Sequence, residues 1–80
     1  MNTQHDTGQD LLEALAELEH QQWIHWSQAV VREVSPATQT RWRCSWLPYR
    51  ELTEELKEHD RVWARKVVEL LCRRKLIPET

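Results

Sequence analysis

Ala16-Glu17-Leu18-Glu19-His20-Gln21-Gln22-Trp23 sets an acid, an imidazole and an indole three residues apart, in a stretch with no helix breaker. On a helix, residues three and four apart share a face. Glu17, His20 and Trp23 therefore form a line, which Ile24, Ser27 and Val31 extend. Leu11, Leu15, Leu18, Trp26 and Ala29 form a separate apolar stripe, the expected core face. A helix in a small protein needs only one such stripe, so the second one requires cover. Two covers stay open. A partner molecule, most simply an identical chain about a two-fold axis, would make the protein a homodimer. Alternatively a second helix and the Leu47–Leu52 segment wrap round the stripe within one chain. Val62 and Val68, off the main stripe of the last helix, raise the same question.

The rest of the chain agrees with helices. Eighty residues suit one domain close to the lower size limit for an unaided core. Five Trp, no Phe and one Gly leave large indoles to build that core and little material for hairpins. The expected fold is all-α, a small three-helix domain of long, short and long helices over residues 10–77, behind a polar, flexible N-terminal tail, Met1–Gln9. Helix one is expected from Asp10 to Val34, capped by Asp10 or Thr7. Ser35-Pro36 reads as a stop and a new N-cap, starting a helix from Pro36 to Trp46. Leu47-Pro48-Tyr49 breaks it. Thr53 with Glu54 and Glu55 starts the third helix, which reaches Arg74 and buries Leu56, Trp63, Val67, Leu70 and Leu71.

Several function classes fall away. A net charge of −2 argues against binding a nucleic-acid polymer. No segment has membrane length or the apolar core of a signal peptide, so a cytoplasmic location is expected, with Cys44 and Cys72 as free thiols. His5, His20, His25, His59, Cys44 and Cys72 lack zinc-ligand spacing, and no metal or cofactor is expected. Glu17 and His20 offer an orienting acid and a base, but no nucleophile or glycine-rich phosphate cradle accompanies them. The chain does not read as an enzyme.

Two features carry chemistry. Asp60 falls inside the third helix's apolar stripe, where an unpaired carboxylate is costly. His20 or His59 is its expected partner, as a tie between helices or as a ligand contact. Arg41-Trp42-Arg43 with Trp46 sets guanidinium groups beside indoles. Bases stack on indoles and Arg grips phosphate oxygens, so with Trp23, His20 and Tyr49 these residues suit a small nucleotide. The competing account is that the Trp residues are core and the Arg residues solvated.

Ala16-Glu17-x-x-His20-x-x-Trp23 resembles the signature of the ryanodine-receptor repeat (RyR) domain. The block from Leu47-Pro48-Tyr49 through Thr53-Glu54-Glu55-Leu56-Lys57 to Asp60-Arg61 is similar to that family's second half. The likeness covers most of Leu11 to Leu76. It departs where the family carries a glycine-bearing Gly-Trp-x-aromatic-Gly segment, which Ser35–Trp46 replaces without glycine. The resemblance implies a non-catalytic module of the stand-alone bacterial or phage type. Such a module would bind or sequester a nucleotide-derived signal, cyclic ADP-ribose-like or a cyclic nucleotide, for sensing or anti-defence, in the host cytoplasm if phage-encoded. The expected ligand contacts are Glu17, His20, Trp23, Arg41, Trp42, Arg43, Trp46, Tyr49 and Asp60. The alternative expectation is a protein-interaction module that docks a host or phage partner through the second face of helix one.

Overall fold

A computed structural model describes residues 7–78. Among them the chain is all-helical. Helix α1 runs Thr7–Val30, α2 Pro36–Cys44 and α3 Glu54–Arg73, with 3-10 turns at Val31–Glu33 and Tyr49–Glu51. The expected tail falls outside the described residues up to residue 6, while Thr7, Gly8 and Gln9 belong to α1. Asp10 sits in the first turn of α1, where an acid suits the helix dipole, rather than at its cap.

The punctuation follows the side chains. Ser35 takes the extended conformation that a following Pro demands. Its Oγ accepts the Thr38 backbone N–H at 3.2 Å. Thr53 caps α3 in the same way, accepting the Leu56 N–H at 3.2 Å. Helix α2 stops two residues before Trp46, as Ser45 and Trp46 donate to the carbonyls of Trp42 and Arg43 in a tightening last turn. At the end of α3, Lys75 is left-handed with φ 60°. Around it Leu76 N–H reaches Leu71 O and Lys75 N–H reaches Cys72 O, each at 2.9 Å. That is a Schellman closure, built without the glycine that usually occupies it.

The core is thin. Ala16 of α1 and Ala64 of α3 are fully buried, and Tyr49 and Leu52 from the α2–α3 connection close over them, with Leu12, Leu15 and Leu56 packed alongside. Two alanines at the contact let two helix backbones approach closely. The molecule is a slab of 45 × 27 × 18 Å.

The inside of α1 departs from the expected one over its second half, while Leu11 and Leu15 of the expected core face stay half-buried. Leu18 is 59% and Trp26 53% exposed, and Ala29 is exposed too, whereas His20, Ser27 and Val31 are buried. The chain covers its own second stripe. Trp46 Nε1–H donates to Ser27 Oγ at 2.9 Å, Ser27 in turn donates to the Ile24 carbonyl, and the Leu47 carbonyl accepts from His20 Nε2 at 2.7 Å. Satisfied in this way, polar side chains take interior positions that leucines leave. The homodimer and partner-docking expectations placed on this stripe lose that basis. Helix α3 departs similarly. Trp63 and Leu70 are exposed, Leu56, Val67 and Leu71 half-buried, and Ala64 holds the interior place. Val62 is exposed and Val68 half-buried.

Candidate functional site: a cleft beside Trp23 and Asp60

A cleft of about 220 Å³ opens between α1, the α2–α3 connection and α3. His20 and Trp23 come from α1, and Ser45 and Leu52 from the connection. Leu56, His59 and Asp60 come from the first two turns of α3, where Leu56 and Asp60, four residues apart, share a face. The rings of His20 and Trp23 stack on one another with an offset, 5.9 Å apart and only 17° from parallel, and the half-buried Trp23 is the open member of this wall while His20 is buried. Trp42 meets Trp23 edge-on at 5.9 Å and also touches Trp26 at 5.7 Å.

The polar corner of the cleft is the His20–Asp60 pair, with Nδ1 and Oδ2 3.7 Å apart. His20, rather than His59, is thus the partner of Asp60. Burial pushes the Asp60 carboxyl above the usual carboxylate range, with the nearby His20 and His59 opposing that shift and Glu19 adding to it. His59 stands exposed at the rim.

Of the expected site residues, His20, Trp23 and Asp60 meet in the cleft, and the others do not line it. Glu17 is exposed on α1. Trp42 backs Trp23 from behind the cleft wall. Arg41 turns to the Thr38 hydroxyl at 3.4 Å, and the Arg43 guanidinium stacks over Trp46, 5.6 Å from the ring centre. The indole N–H of Trp46 is spent on Ser27. Tyr49 is a buried structural residue whose hydroxyl donates to Glu13 Oε1 at 2.8 Å.

Glu13 is the centre of a clasp that the sequence reading did not single out. Arg61 grips it bidentately, Nε to Oε2 at 2.8 Å and Nη2 to Oε1 at 3.2 Å, while Arg61 Nη1 donates to Glu54 at 3.0 Å. The Arg61 hydrogen bond holds the Glu13 carboxyl below its ordinary range, against burial. Burial first, then the bond to Glu13, pushes the Tyr49 phenol up to about 12. One signal was present in the chain: Glu13, Ala16 and His20 lie three and four residues apart, on the face that turns inward. For Ser45 and Leu52, which complete the cleft with Leu56 and His59, no local pattern marked a shared site.

Among the described residues no cluster of His, Cys, Asp or Glu is arranged to hold a metal ion, and no helix is long and apolar enough to cross a membrane. No family model matches the chain, and neither a curated protein nor a solved structure matches it.

Proposed function

We propose that the protein is a small non-catalytic binding module that takes the base of a nucleotide-derived signalling molecule into the cleft, holding it for sensing or sequestration. One observation carries this reading: an aromatic wall, whose open ring is Trp23 stacked on the buried His20, stands beside a partly desolvated carboxylate, Asp60. A planar nitrogen ring stacks on such a wall. Its N–H groups donate to a carboxylate that has lost water and gains from a new donor. The likeness of Glu17, His20, Trp23 and the Leu47–Arg61 block to RyR domains supports the same reading.

The cleft's size restricts the ligand. About 220 Å³ is below the roughly 300–1,000 Å³ of drug-sized sites. A single base enters and the sugar and phosphates remain outside, with Arg41 and Arg43 directed elsewhere.

The test is a panel of cyclic nucleotides, ADP-ribose and cyclic ADP-ribose, with free adenosine and guanosine as base-only controls, followed by Trp fluorescence and melting temperature. A ligand at a hundredfold excess over its Kd stabilises the fold by about 2.7 kcal/mol. The expected result is a shift with at least one base family that Asp60→Asn abolishes while its own melting curve stays intact. Absence of any shift across the panel overturns the reading.

A further inference from the structure

We propose that the cleft is selective for guanine, with the Asp60 carboxylate reading the two adjacent N–H donors of that base. The proposal rests on the reading of the cleft as a base site and names which base it takes.

Asp60 lines the cleft as an acceptor that no donor of the chain satisfies. Its side chain is 17% exposed, and the group that faces it, His20 Nδ1, stands 3.7 Å from Oδ2, beyond hydrogen-bond range. Nδ1 carries a lone pair while the ring's proton is held at Nε2 on the Leu47 carbonyl. The cations nearest along α3 are committed elsewhere, Lys57 to Glu54 and Arg61 to Glu13 and Glu54. Among the described residues no hydrogen bond reaches the carboxylate. Polar groups withdrawn from water are normally paired, so these two oxygens suit donors brought by a ligand.

Two oxygens on one carbon match two parallel N–H groups, as in the fork of Arg with a carboxylate. A guanine ring stacked on Trp23 offers that pair at N1 and the 2-amino group. Adenine and cytosine set a ring-nitrogen acceptor beside their amino group, and uracil sets its single N–H between two carbonyls. Each of these opposes an acceptor to the carboxylate. The other polar side chains of the lining, the Ser45 hydroxyl and the His59 ring, are able to donate. They suit the O6 and N7 acceptors of guanine.

Proton–nitrogen NMR titration of the full chain above neutrality, followed at the Trp23 indole N–H and the Asp60 backbone N–H, tests this. Guanosine is expected to bind best. Inosine, which lacks the 2-amino group, should bind about tenfold more weakly, and adenosine about a hundredfold more weakly. Asp60→Asn offers one acceptor and one donor. It should lose guanosine and gain xanthosine, whose C2 carbonyl replaces the amino group. Inosine binding as tightly as guanosine overturns the proposal without needing any variant. Adenosine binding as tightly does so too, while leaving the base-site reading intact. Methylguanidinium binding as tightly as guanosine also overturns it, since any donor pair would then suffice. Silence with every nucleoside and nucleotide overturns the base-site reading itself.

Discussion

His20 donates its Nε2 proton to the Leu47 carbonyl at 2.7 Å, and this leaves Nδ1 facing Asp60 Oδ2 across 3.7 Å. A carbonyl can only accept, so the tautomer at Nε2 is fixed. Nδ1 and the carboxylate then oppose one another as two acceptors unless one proton sits on either of them. The pair is a polar joint between α1 and α3 that also forms one corner of the cleft. Its two members have different jobs, and variants separate them.

His20→Ala removes the donor to Leu47 and the partner of Asp60 in one step. A part-buried carbonyl and a half-buried carboxylate are left unmatched, and the expected loss is about 1–3 kcal/mol. Urea unfolding followed by circular dichroism measures it. A loss under half a kcal/mol would show that the joint does not hold the helices.

Asp60→Asn keeps the shape and discards the charge, so the fold should be as stable as wild type or more so near neutral pH. The sign follows from the raised pKa. A carboxyl whose folded value lies above its ordinary 3.8 favours the folded state while protonated and penalises it once ionised. Relative to the variant, wild type should lose stability as pH rises from 3.8 through the raised folded value, then run parallel to it. Paired urea titrations across that window check the crossing.

The Glu13 clasp has the opposite pH dependence. Its lowered folded pKa means that its contribution is complete above the ordinary 4.5 and is lost as pH falls through the folded value. Glu13→Gln should cost about 1–2 kcal/mol at neutral pH, discounted for a side chain that is 32% exposed, and flatten the acid limb of the stability curve. For Tyr49, whose folded phenol holds its proton up to about 12, stability should fall between pH 10 and 12 in wild type. In Tyr49→Phe that fall should vanish.

Ser27 and Trp46 form a pair suited to a double-mutant cycle. Ser27→Ala strands the indole N–H of Trp46, at an expected cost of about 1–2 kcal/mol. Trp46→Phe removes indole and donor together. If the hydrogen bond matters, Ser27→Ala should cost much less in the Trp46→Phe background than in wild type.

Lys75 holds a left-handed conformation that costs a non-glycine residue about 1 kcal/mol. Lys75→Gly should relieve it and raise the unfolding midpoint, offset in part by the greater freedom of glycine in the unfolded chain. An unchanged or lower midpoint would count against a strained closure.

Much of the fold was legible in the chain. Ser35, Pro36 and Thr53 declare helix starts through local chemistry, because a cap bonds a backbone group only three residues away. What the second half of α1 buries was not legible. By hydrophobicity Leu18 and Trp26 outrank His20 and Ser27, yet the latter go inside because the Leu47 carbonyl and the Trp46 indole meet them from across the chain. That information sits many residues distant and leaves no periodic trace. The cleft was half legible for the same reason. His20, Trp23 and Asp60 stand out as polar or aromatic groups at apolar positions, whereas Arg41 and Arg43 carry suitable chemistry that local neighbours consume, and the Tyr49 hydroxyl is taken by the distant Glu13.

Trp46 and Tyr49, three residues apart, fasten to Ser27 and Glu13, which lie about 21 Å apart along α1. The short connection therefore works as a staple whose two prongs splay in opposite directions along one helix. Its length admits no slack. A single residue inserted between the prongs would put one of them out of register and skew the angle at which α3 enters, and the recess beside Trp23 would lose its outline before the helices themselves melted.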